Sequence, residues 1–143
     1  MPHLVILYTG QLDQEVNMTS LCRQLADAML TVKDESGKQV FPTGGTRVLA
    51  YPAPHYAVAD GGAAGIAEGG NGDYAFVYLN LRMGRGRTEA TQKQAGDTLL
   101  GVVKAFFAPL MATKHVGVTL QIDVGQEVFD AKHSSLHPIF NKA

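Results

Sequence analysis

The chain has one cysteine, Cys22, in 143 residues, so an internal disulfide is excluded and the fold must rest on packing. That suits a reducing compartment, and a cytoplasmic location is the expectation. Cys22 itself reads as a small apolar core residue. Charge is also scarce. Charged residues make up 17% of the sequence and the formal net charge is -1, which removes the broad attraction that non-specific nucleic-acid or acidic-membrane binding needs. No apolar run approaches the roughly 20 residues that cross a bilayer, so neither nucleic acid nor membrane is expected as a partner. The opening residues lack a basic leader, and their apolar run is shorter than a secretory core of about 7–15 residues. His3, His55, His115, His133 and His137 show no metal-ligand spacing, and no metal or other cofactor is expected. Gly84-Arg85-Gly86-Arg87-Thr88 lacks the Gly-Lys-Ser/Thr ending of a phosphate loop.

What is present is enough apolar material for one core, at 45% of the residues. Leu4 to Tyr8 is a continuous β-favouring run ended by Thr9-Gly10, which predicts a strand covered on both faces. Leu21, Leu25, Met29 and Val32 recur at steps of four, four and three, so a helix is expected from about Asn17 to Val32, capped by Asn17 or Thr19. Arg47 to Tyr51 predicts a second strand, terminated by Pro52 and Pro54. Residues 60–72, with six glycines and little bulk, read as a mobile loop.

The pattern then starts again. Tyr74 to Leu81 is the strongest strand signal, and Thr88 is a good N-cap for a helix whose apolar face is Ala95, Leu99, Val103, Phe106 and Leu110. Val116, Val118, Leu120 and Ile122 alternate as a fourth strand. Two tandem β-α-β units, about 2–56 and 73–124, predict an α+β fold in one domain: a four-stranded sheet with two helices on one face. The other face is left bare and apolar, which calls for burial against partner subunits. The tail, 125–143, is less regular and carries Val128, Phe129, Leu136, Ile139 and Phe140; a role in assembly is expected.

Met1-Pro2-His3, Phe41-Pro42, Gly45-Thr46-Arg47, Asp73-Tyr74-Ala75-Phe76-Val77, Gly86-Arg87-Thr88 and Gln94-Ala95-Gly96 occur in an order that resembles the 5-carboxymethyl-2-hydroxymuconate isomerase family of the tautomerase superfamily. The resemblance runs from Pro2 to about Ile122. It implies a homotrimer, no cofactor, a small-molecule carboxylate substrate, and Pro2 as general base once Met1 is removed. In short relatives such as 4-oxalocrotonate tautomerase, one arginine follows the first strand and another opens the second. The first role falls here to Arg87, because Gly10-Gln11 has no arginine; the second falls to Arg47, because Val116-Gly117-Val118 has none. One composite site per chain is implied, with Tyr8 a further substrate-binding candidate.

The chemistry agrees with those residue types. Moving a double bond in an unsaturated keto acid needs a base that removes a proton beside a carbonyl and returns it to another carbon. An α-amine starts near ~8, and desolvation with nearby positive charge lowers it toward neutrality. Arg47 or Arg87 can grip a carboxylate with two parallel hydrogen bonds while the other steadies the dienolate oxygen. Both arginines are expected to serve ligand more than fold, so alanine should leave folding nearly intact. Taken singly, each feature has a plainer reading: Pro2 permits Met1 removal, Arg47 and Arg87 can be solvated strand-end charges, Arg82 and Arg85 surface or interface charges, and Tyr8 and Tyr51 core aromatics. Two other functions stand beside the isomerase: an inactive trimeric ligand-binding or scaffold protein, and a hydratase or decarboxylase of small unsaturated acids.

Overall fold

The computed structural model describes residues 2–140; Met1 and the last three residues of the tail lie outside them. Strand β1 spans His3–Thr9, helix α1 Met18–Thr31 and strand β2 Arg47–Ala53; after a short helix α2, Ala63–Ala67, come strand β3, Tyr74–Met83, helix α3, Glu89–Met111, and strand β4, His115–Val124. A last turn of helix, α4, covers His137–Phe140.

The sheet order is β2-β1-β3-β4. Within each repeat the strands are parallel, β1 with β2 and β3 with β4, while β1 and β3 meet antiparallel at the centre. Both long helices pack on one face, against each other and against the strands that follow them. Period-two alternation sorts the strands: Leu4, Ile6 and Tyr8 of β1 and Ala75, Val77, Leu79, Leu81 and Met83 of β3 are buried under the helices. The opposite face keeps Leu7, Leu49 and Tyr51 about half exposed, at 48%, 47% and 50%. The continuous apolar run of β1 is therefore covered on one face only within the chain.

Helix α1 starts where its cap chemistry says it should: the Asn17 side chain accepts from the Ser20 amide at 3.0 Å, and Met18, Leu21, Leu25 and Met29 line the buried stripe. Thr88 caps α3 in the same way, accepting from the Thr91 amide at 3.2 Å. The buried row of α3 is Thr91, Ala95, Leu99, Val103 and Phe107 at a constant step of four, so Phe107 takes the core position expected of Phe106; Phe106 and Leu110 pack at its margin. Strand β2 runs through Pro52 instead of stopping before it. As an edge strand it has a neighbour on one side only and tolerates a missing N–H.

The glycine-rich segment departs most from expectation. Residues 60–72 fold back on themselves around α2: the Asp60 carboxylate accepts from the Gly62 and Ala64 amides at 2.9 and 3.0 Å, and the Gly65 amide donates to the Tyr74 hydroxyl at 2.9 Å. Those bonds, Gly62 first, hold the Asp60 carboxyl below its ordinary range. Glycine here permits contact. Gly62 sits at φ 108°, and a Cβ on it would collide with the backbone of Gly72. Gly62→Ala is expected to cost about 1–3 kcal/mol of stability, read from the denaturant midpoint. Gly69→Ala, at φ 85° but with open space around it, isolates the part due to backbone strain alone.

Candidate active site

The pairing register gathers the expected residues at one end of the sheet. His3 lies opposite Arg47 of β2 and, on its other side, opposite Arg82 of β3. Pro2, directly ahead of His3 and buried, therefore sits where β1 and β2 begin and where β3 ends. Arg87 is four residues beyond Met83, the last residue of β3, at that same end. The antiparallel β1–β3 pair makes this possible: it brings the chain's first residues beside the close of a strand eighty positions later.

Arg87 is fixed in place. Its Nη1 donates to the Gly84 carbonyl at 3.1 Å and its Nη2 to the Val40 carbonyl at 2.9 Å, and the guanidinium lies 5.8 Å from the centre of the fully buried Phe41 ring. The expectation that this side chain contributes little to the fold is corrected by those contacts. Phe41-Pro42 thus acquires a physical role as the shelf under Arg87. Arg47 opens β2 after the turn Thr43–Gly45, and its Nη1 donates to the Gly45 carbonyl at 3.3 Å.

His3 points to the open face beside Arg47, as alternation requires. Its imidazole is held below the ordinary histidine value, first by burial and then by Arg47, with Arg82 acting in the same sense and Asp130 against it. Sequence reading treats Arg82 as a surface or interface charge and does not single out His3, and the structure places both in the register row of Arg47. Period two places them on one face with Arg47, but their adjacency depends on the β1–β3 pairing, which no local pattern displays.

Tyr8 is placed elsewhere. It is six residues along β1 from Pro2, about 20 Å at 3.3 Å per residue, and it points under the helices. Its hydroxyl donates to Asp13 at 2.6 Å, and burial together with that bond pushes the phenol up to about 12. A cleft of ≈ 630 Å³ opens there, but its walls include Asp13 and Glu15, which repel a carboxylate ligand. Within one chain Pro2, Arg47 and Arg87 lie at the same end of the sheet, and Tyr8 lies at the opposite end. Among the described residues, no group of three or more His, Cys, Asp or Glu converges as a metal site would require.

A family model for 5-carboxymethyl-2-hydroxymuconate isomerase matches residues 2–140. The chain belongs to the 5-carboxymethyl-2-hydroxymuconate isomerase family. A crystal structure of a 5-carboxymethyl-2-hydroxymuconate delta-isomerase is 64% identical, superposes with a TM-score of 0.97 and matches 100% of this chain and 95% of its own. A 5-carboxymethyl-2-hydroxymuconate isomerase from Deinococcus radiodurans R1 is 30% identical over 99% of this chain and 95% of its own, with a TM-score of 0.81. The 5-carboxymethyl-2-hydroxymuconate Delta-isomerase of Escherichia coli is 24% identical over 98% of this chain and 99% of the relative. Beyond the family the likeness is of fold: a fused 4-OT trimer, 12% identical, superposes with a TM-score of 0.53 over 91% of this chain and 93% of its own. The α+β sheet with both long helices on one face is thus the tautomerase fold, and the family is one of isomerases.

Proposed function

We propose that the chain isomerises 5-carboxymethyl-2-hydroxymuconate or a close unsaturated 2-hydroxy acid, without a cofactor, using the amine of Pro2 as general base. The observation that carries this reading is the gathering of Pro2, Arg47 and Arg87 at one sheet end. The amine takes a proton from the 2-hydroxydienoate and returns it at a distant carbon, so the double bonds shift and a ketone forms. Arg87, fixed by two carbonyls and the Phe41 ring, keeps its geometry as charge moves and suits the dienolate oxygen. Arg47 is then the carboxylate clamp.

The active form in this reading is a homotrimer in the cytoplasm. Two helices cover one side of a four-stranded sheet, and Leu7, Leu49 and Tyr51 on the other side need a partner surface. The deciding experiment is turnover of 5-carboxymethyl-2-hydroxymuconate in D2O by protein whose mass matches the chain without Met1. Ketonisation with deuterium at the accepting carbon, unaffected by EDTA, is the expected result. Absence of turnover by a species that light scattering finds to be trimeric would leave a ligand-binding scaffold instead.

A further inference from the structure

The substrate in the family's name carries three carboxylates, two ending the muconate chain and one on the carboxymethyl arm, whereas the proposed site holds two arginines. We infer that Arg82 receives the third carboxylate, and that Glu127 of the chain's own tail stands in for it until substrate arrives. This deepens the function proposed above and rests on it.

Arg82 belongs to the row Arg47-His3-Arg82 across three neighbouring strands, so Arg47 and Arg82 lie about two strand spacings, or ~10 Å, apart at their backbones. All three side chains share the open face, and both arginines bear on the His3 imidazole. Glu127 Oε1 is 3.8 Å from Arg82 Nε, too far for a hydrogen bond, and the two side chains remain 40% and 54% exposed. A carboxylate is therefore already drawn to this guanidinium without closing on it. Asp123, the register partner of Arg82, instead accepts from Asn80 Nδ2 at 2.9 Å. Arg85, the other cation nearby, has its Nε committed to the Gly125 carbonyl at 2.9 Å.

The path of the tail brings Glu127 to that place. The Gly125 amide donates to the Met83 carbonyl at 2.7 Å, tying the tail to the end of β3. Farther on, α4 packs against the turn Thr43–Gly45 that precedes Arg47, with His137 and Phe140 against Gly44. Those anchors lie toward the β4 and β2 edges of the sheet, and between them Glu127 comes near Arg82 and Asp130 acts on His3.

The test compares 5-carboxymethyl-2-hydroxymuconate with 2-hydroxymuconate, the same skeleton without the carboxymethyl arm. Arg82→Gln is expected to raise KM about tenfold for the first and to leave the second within about twofold, with kcat little changed for both. Glu127→Gln is expected to lower KM for the first substrate alone, a gain that a structural role for Glu127 cannot produce. Equal effects of Arg82→Gln on both substrates, or no effect on either, would overturn the assignment of Arg82. An unchanged or raised KM in Glu127→Gln would overturn the stand-in. Should wild-type protein turn over neither substrate, the function fails but the inference is still read by calorimetry: unreactive tricarballylate should bind more tightly than glutarate, and Arg82→Gln should abolish that preference. No preference in the wild type would sink it.

Discussion

A form of the protein carrying one extra residue ahead of Pro2 is expected to lose about 10²–10⁴ in kcat/KM against the processed chain, with its fold unchanged. The extra residue turns the Pro2 nitrogen into an amide, which has no basic lone pair, while every other group at the sheet end keeps its place. Pro2→Ala is expected to fall between the two forms, since removal of Met1 still leaves a basic amine there, but a primary one on a less rigid residue. Mass spectrometry must establish the N-terminus of each preparation, because a mixture would pass for partial activity. Equal rates in the extended and processed forms would remove Pro2 from the mechanism.

Arg87→Ala should produce the second large effect, and it should be double. Loss of the group aimed at the dienolate oxygen is expected to lower kcat about 10²–10³-fold. The same change strips the Val40 and Gly84 carbonyls of a charged donor and uncovers Phe41, so stability should fall by about 2 kcal/mol. Kinetics taken well below the melting transition separate the two. Arg87→Lys restores charge but not the planar fork and should recover only a part of each. Wild-type kcat in a protein destabilised as expected would mean that Arg87 is a structural strut and that its assignment from the family is wrong.

The elements were legible where a single physical signal governs them. Asn17 and Thr88 cap helices because their side-chain oxygens meet free amides one turn on, and the period of four in Leu21, Leu25 and Met29 has one interpretation. The candidates Arg47 and Arg87 come from an ordered set of motifs, not from periodicity. What stayed hidden depends on contacts distant in sequence. Glycines at 62, 65 and 72 look the same in a slack loop and in a tight backbone crossing; only the partner across the crossing distinguishes them. Phe106 and Phe107 are adjacent apolar rings, and a small rotation of α3 decides which one enters the core. His3 and Arg82 become neighbours through antiparallel pairing of strands from different repeats, and one of the two carbonyls that hold Arg87, that of Val40, comes from a loop nearly fifty residues earlier.

The central antiparallel pair has a further consequence, for stoichiometry. Because β1 and β3 run in opposite senses, the sheet has two comparable ends, each with one strand starting beside another finishing. A polypeptide has a single amino terminus. With the base on that terminus, covalent continuity between the repeats halves the number of bases per sheet relative to two separate copies of a β-α-β unit. On the proposed mechanism the other end carries no base. Tyr74 and His115 meet there edge to face at 5.6 Å, Gln11 Nε2 donates to the Tyr74 carbonyl at 2.7 Å, and the coil around α2 closes over them. On the mechanism proposed, continuity of the chain gives the two ends different roles, one holding the amine and the other the contacts that tie the two halves together.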